Sequence, residues 1–216
     1  MTINPSVSKR RPPSKRKNRK VMTGSNAITG NAKRHITKSE RSRGLVIVYT
    51  GNGKGKTTAS LGIALRATGY NMKVCMIQFV KGSWFSGELK SCKLLAPSFR
   101  IIPAGKGFVG IIDDKKPLSQ HIAAAREAMR TSKKIISSGL YDIVILDEIN
   151  CAVNLKLIGV RPVLELIQQR PLHVSLVLTG RRAPQPIIDV ADLVTEMRKI
   201  KHPYDKGTTA RKGIDF

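Results

Sequence analysis

Acidic side chains are scarce in this sequence: 14 Asp and Glu face 39 Lys and Arg, a formal net charge of +25. An acid-coated surface is excluded, and an anionic partner is invited. Cysteine is scarcer still, and Cys75, Cys92 and Cys151 form no C-x-x-C pair. Neither a zinc ribbon nor a disulfide framework can be built from them. They read as small buried residues of a reducing compartment, so a cytoplasmic protein is expected. Aromatic residues make up only 5% of the chain, with a single tryptophan, Trp84. No apolar run reaches the roughly 18 residues that cross a bilayer, and no apolar signal core is present. Membrane insertion and secretion are therefore not expected.

What is there is unevenly spread. Residues 1–43 hold 13 basic residues and one acid, Glu40, so a fifth of the chain carries nearly half of the excess charge. This stretch has almost no large apolar residues and no helical or strand period, so it reads as a disordered basic tail. Three roles fit it: a charge-driven arm for an anionic partner such as nucleic acid, a solubilising extension, and a transit peptide. Residues 44–216 form the second region, long enough for one α/β domain.

In that domain, short apolar runs alternate with helical patterns. The runs are Leu45–Tyr49, Lys73–Val80, "SFRIIPAG", "YDIVILDE", "HVSLVLTG" and "VTEMRKI". Between them lie a helix over about Lys56–Ala67 and a long one in "PLSQHIAAAREAMRTSKKIISSG". In the latter, Ile122, Ala125, Met129, Ser132 and Ile136 recur at helical spacing. "RPVLELIQQ" and "IIDVADL" also read as helical. Near-continuous apolar strands separated by helices predict a mostly parallel central sheet covered on both faces. Ligands of such sheets bind beyond the carboxyl ends of the strands. That singles out Gly51–Thr57, Gln78–Glu88, Asp147–Asn150 and Thr179–Arg181.

The first of these segments carries the clearest chemistry. "GLVIVYTGNGKGKTTAS" runs from a strand through Gly51, Asn52, Gly53, Lys54 and Gly55 into a helix opening with Lys56, Thr57 and Thr58. Glycines let backbone approach an anion, and the first helical N–H groups point at it. Lysine and a hydroxyl follow at the positions that meet terminal phosphates and Mg²⁺. Thr50 stands where the G-x-x-x-x-G-K-[ST] pattern has its first glycine. Asp147 and Glu148 end an apolar strand, as do carboxylates that reach a nucleotide's Mg²⁺; a helix N-cap is the other reading. Trp84 and Phe108 sit in glycine-rich loops at the same edge. There they could meet a flat apolar ligand, stack on a base, or pin the loops to the body.

Taken in order, "YTGNGKGKTTAS", "IQFVKGSW..GE", "YDIVILDEIN", "LVLTGR", "DVADLVTEMRKIKHPYDKG" and "ARKGIDF" resemble the P-loop-type ATP:corrinoid adenosyltransferases. The likeness runs from Gly44 to Phe216. It implies a RecA-like P-loop NTPase fold and a homodimer. The implied reaction moves the 5′-deoxyadenosyl group of MgATP to a Co(I) corrinoid and releases tripolyphosphate, in adenosylcobalamin biosynthesis or salvage. It further implies that Gly51–Thr57 hold ATP in reversed orientation, with Asn52 near the ribose. Thr57 and Glu148, with Asp147, would handle Mg²⁺. Lys56, Glu148 and Phe108 become the expected catalytic residues, and Thr58, Trp84 and Arg181 join the nucleotide and corrinoid contacts. Phe108 matches an aromatic that keeps the lower corrinoid face dry, whereas the tryptophan expected two residues later is Gly110. None of His35, His121, His173 and His202 lies in a D-x-H-x-x-G arrangement, and no flavin or iron–sulfur motif is present. A reducing flavoprotein is thus the expected partner. The competing reading is a RecA-like ATPase that binds nucleic acid through its basic tail.

Overall fold

A computed structural model describes residues 43–82, 86–107, 109, 114 and 116–216. Trp84, Phe108, Gly110 and the basic tail up to residue 42 lie outside the described residues.

The described chain alternates as expected. Strands β1 (Val46–Thr50), β2 (Val74–Gln78), β3 (Phe99–Pro103), β4 (Ile143–Asp147), β5 (Ser175–Thr179) and β6 (Leu193–Glu196) are linked by six helices. These are α1 (Lys56–Thr68), α2 (Gly87–Leu94), α3 (Leu118–Ser137), α4 (Ile149–Asn154), α5 (Val160–Gln169) and α6 (Gln185–Asp189). One six-stranded sheet has the order β3-β2-β4-β5-β1-β6. Every strand pair is parallel, so the sheet is wholly rather than mostly parallel. β5 separates the glycine-loop strand β1 from β4, which carries Asp147. This is the RecA-like P-loop arrangement.

Side-chain alternation explains the two-sided cover. Val74, Met76, Ile145 and Val177 pack with Ala64 and Ala67 of α1 on one face. Cys75, Ile77, Val144, Leu146, Leu176 and Leu178 pack on the other with Ala125, Ala128 and Ile136 of α3, Val163 and Ile167 of α5, and Ile187 of α6. Successive strand residues point to opposite faces, so only strands buried on both sides need such unbroken apolar runs.

Two details differ from the sequence reading. The buried stripe of α3 is His121, Ala125, Ala128, Ser132 and Ile136. Ile122 and Met129 are only partly buried beside it. His121 takes the inward position because Asp114 meets its ring at 3.1 Å, which satisfies a polar group that the core would otherwise reject. Helix α2 was not expected and buries none of its residues; α4, only six residues long, is the helix that the N-cap reading of Asp147 and Glu148 implied, and Glu148 occupies its N-cap position without a side-chain cap hydrogen bond.

Candidate active site

Three neighbouring strands end in fully buried polar side chains: Gln78 on β2, Asp147 on β4 and Thr179 on β5. Gln78 and Asp147 are paired in register, and Leu146 pairs Leu178 one step before Asp147 and Thr179. The apolar sheet thus finishes in a polar row beneath the glycine loop.

The loop's shape comes from its glycines. Gly51 and Gly55 adopt φ of 94° and 106°, a region that penalises any side chain. Gly51 and Gly53 have a second reason to lack Cβ. A methyl on Gly51 would lie 2.5 Å from the Met197 carbonyl oxygen, and one on Gly53 would lie 2.7 Å from that of Arg198. The chain after β6 therefore packs directly on the loop backbone, and Gly53 donates its N–H to Met197 O at 2.6 Å. Thr50, in place of a first glycine, accepts the Ala183 N–H at 3.0 Å through its hydroxyl and so ties the loop to the turn after β5.

Lys56 is buried inside this bend, its ammonium donating to the carbonyls of Gly51 at 2.9 Å and Gly53 at 2.6 Å. Burial pushes its pKa below the ordinary lysine value; Glu148's negative charge opposes that shift and Arg181 adds to it. A cation held only by carbonyls gains strongly from an anion's arrival, because charged hydrogen bonds are about twice as strong as neutral ones.

Asp147 anchors the other wall. Its Oδ1 accepts from Thr57 Oγ1 at 2.9 Å and Thr179 Oγ1 at 2.7 Å. Its Oδ2 is buried with no protein partner. Burial, then the neighbouring Glu148 charge, raises the Asp147 pKa, and the two hydroxyls work the other way. Thr179 Oγ1 also accepts the Glu148 N–H at 2.9 Å. Glu148 takes a left-handed φ of 61°, which turns the chain sharply at the end of β4. Behind it, Asn150 is fully buried, and neither its amide nitrogen nor its oxygen has a partner. Cys151 accepts the Arg181 N–H at 3.2 Å, and burial together with the adjacent Glu148 charge pushes its thiol pKa up to about 12.

The fold thus brings together Gly51, Gly53, Gly55, Lys56, Thr57, Asp147, Glu148 and Arg181. Asn52, Lys54 and Thr58 belong to the loop and first turn but are exposed. Of the two carboxylates, Asp147 is the one on Thr57. Sequence reasoning gave no role to Thr179, Asn150, Met197 or the cluster in which Lys81 (2.6 Å) and Gln78 (3.3 Å) both donate to Glu88. The only signal for Thr179 was a hydroxyl ending an apolar strand, as Asp147 ends its neighbour. Met197 gave none, because its role is a backbone approach.

Polar strand ends, a buried loop lysine and a threonine-held carboxylate describe a phosphate-binding edge without naming the acceptor. Similarity to known proteins does name it. The sequence model of one family, "ATP:corrinoid adenosyltransferase BtuR/CobO/CobP", matches residues 42–216. The Escherichia coli K12 corrinoid adenosyltransferase is 34% identical over 181 residues, covering 84% of this chain and 90% of its own. The Salmonella typhimurium corrinoid adenosyltransferase CobA is likewise 34% identical over 84% of this chain and 90% of its own. One from Sinorhizobium is 37% identical over 81% of each chain. Among solved structures, the flagellar accessory protein FlaH of Methanocaldococcus jannaschii aligns with a TM-score of 0.43 at 16% identity, over 72% of this chain and 71% of its own. With the glycine loop, the Asp147 strand and the carboxyl-terminal segment all inside the matched span, this chain belongs to the ATP:corrinoid adenosyltransferase family.

Proposed function

We propose that this corrinoid adenosyltransferase treats the triphosphate of ATP as a leaving group and uses the glycine-loop edge to hold it still. The observation that carries this reading is the buried Lys56 ammonium, satisfied only by loop carbonyls and facing the Asp147–Thr57–Thr179 cluster. Cobalt(I) of the corrinoid donates an electron pair to C5′ of ATP as the C5′–O bond breaks. The pair from that bond departs on the triphosphate, and cobalt is formally oxidised by two electrons. The departing oxygen gains negative charge, which Lys56 and the loop N–H groups stabilise where it develops. Fixed geometry supplies much of the remaining rate, since the two substrates must meet in line.

The residues present fit a magnesium ion. Asp147 Oδ2 is a buried oxygen without a partner, and Thr57 is poised on the same carboxylate. Among the described residues no three His, Cys, Asp or Glu side chains gather to hold an ion, so phosphate oxygens would complete its shell. When bound, Mg²⁺ supplies charge neutralisation to the triphosphate. Thr57 and Asp147 would hold it, and Glu148 would act on its surroundings. Asn52 at the ribose, Arg181 at the nucleotide, and Trp84 and Phe108 at the corrinoid remain part of this proposal through the family likeness.

A homodimer fits the open edge strand β6, on which Leu193 and Val194 stay 42% and 41% exposed. A reduced flavoprotein is the proposed electron source, because no redox motif occurs in the sequence. No helix among the described residues is long and apolar enough to cross a membrane, in keeping with the proposed cytoplasmic location. The proposal divides the chain into a basic tail, 1–43, and a catalytic domain, 44–216. Incubation with ATP, Mg²⁺ and chemically reduced corrinoid tests it. A light-sensitive adenosylcorrinoid that forms only with ATP is expected; ATP hydrolysis without any alkylated corrinoid would overturn the proposal.

A further inference from the structure

The glycine loop is held from outside by chain that has already left the sheet. After β6, Met197 donates its N–H to Thr50 O at 2.9 Å and accepts that of Gly53 at 2.6 Å. The chain then runs through the Lys199–Asp205 pair and a 3₁₀ turn over Pro203–Lys206, and Gly207 closes the turn at φ 75°. It then forms a compact turn: the Arg211 backbone N–H donates to Asp215 Oδ2 at 2.7 Å, Asp215 N to Arg211 O at 2.8 Å, and Gly213 N to Phe216 O at 2.8 Å. This turn aims Asp215 Oδ1 at Lys54 of the glycine loop, and the two form an ion pair. The Asp215 side chain is only 15% exposed, although its neighbours Arg211–Ile214 and Phe216 are exposed. At its far end the Phe216 carbonyl carbon lies 3.9 Å from where a Cβ on Gly87 would sit, at the start of α2. The last six residues therefore reach from the glycine loop to α2.

We propose that Arg211–Phe216 is a brace for the glycine loop and that Asp215 is a positioning residue for nucleotide binding. The inference rests on the loop being the triphosphate site. A loop with three glycines in five residues has wide conformational freedom, and ordering it on binding costs affinity. Lys56 fills the loop from inside, Met197 fixes Gly53, and Asp215 fixes Lys54 from outside. The loop is thus ordered before the nucleotide arrives. Asp215 touches no substrate; its effect passes through Lys54 to the loop backbone. Loss of the brace should weaken binding of ATP and leave the bound chemistry alone.

The test measures dissociation constants for ATP and for inorganic tripolyphosphate, with transfer kinetics, on the full chain. Asp215→Asn should weaken both ligands and raise KM for ATP about two- to five-fold, the range of a partly exposed ion pair. The kcat value and the thermal midpoint should stay unchanged. Asp215→Glu should restore wild-type binding. In a Lys54→Met background, Asp215→Asn should have no further effect. Unaltered binding in Asp215→Asn would overturn the brace. So would tighter binding, because the carboxylate would then be competing with phosphate. A wild-type chain that binds neither ligand would overturn the proposed function as well, which separates the two failures.

Discussion

Thr179→Val is the most informative single substitution at this site, because valine keeps the shape and deletes only the hydroxyl. That hydroxyl donates to Asp147 Oδ1 at 2.7 Å and accepts the Glu148 N–H at 2.9 Å, in a fully buried position. A hydrogen bond to a charged group contributes about 1.5–3 kcal/mol, and stranding the Glu148 N–H adds about 1 kcal/mol. The expected loss is therefore about 2–4 kcal/mol, a large share of the stability of a domain this size. Urea unfolding of nucleotide-free protein measures it. Thr179→Ser is the control: it keeps the hydroxyl and loses one buried methyl, so it should cost only about 1 kcal/mol. Transfer should fall in the valine variant too, since Asp147 keeps only Thr57 to orient it and Glu148 loses the anchor of its turn. A valine variant within 0.5 kcal/mol of wild type (roughly the scatter of surface substitutions) with normal turnover would refute the assigned network.

Lys56→Ala should weaken ATP binding about 10- to 100-fold and lose transfer with it, by isothermal titration and product assay, because it removes the loop's one buried ammonium. Glu148→Gln keeps size and hydrogen bonding, so kcat should fall far more than ATP affinity; equal effects on both would assign Glu148 to binding alone. Burial pushes the Cys75 thiol from 9.0 up to about 11, so between those values the unfolded chain has released more thiol protons than the native one. Stability should accordingly fall as pH rises above 9, by about 2–3 kcal/mol at the limit, and thermal midpoints of Cys75→Ala across pH 8–11 should lack that component. Deleting residues 1–40 should leave ATP binding and transfer intact at matched ionic strength. A tenfold loss of kcat/KM would place the tail in the active site.

The central strands β2, β4 and β5 were legible because they are sealed on both faces, which forces an unbroken apolar run, whereas the edge strand β6 is exposed along its length. Helix α2 was illegible for the opposite reason: with no buried residue, it has no periodic face to write into the sequence. The glycine loop announced itself through residue types, yet its glycines carried two meanings. Phosphate approach was readable locally, whereas the close packing of Met197 and Arg198 depends on β6 lying beside β1. Asp147 and Glu148 were visible as a pair, but only the structure shows that Asp147 is the one bonded to Thr57 and Thr179. Thr179 became meaningful once β5 was placed against β4, since sequence order sets the two 32 residues apart. Asn150 was singled out only as the last residue of the Asp147–Asn150 segment; what marks it individually is a buried amide that lacks a partner.

The central claim is that the phosphates held by this loop leave as one piece. Phosphorus NMR on a reaction with ATP, Mg²⁺ and reduced corrinoid, run beside optical quantification of the adenosylcorrinoid, tests it directly. The account predicts intact tripolyphosphate in equal molar amount to the adenosylated product. ADP and inorganic phosphate as the primary products, formed whether or not corrinoid is present, would contradict it.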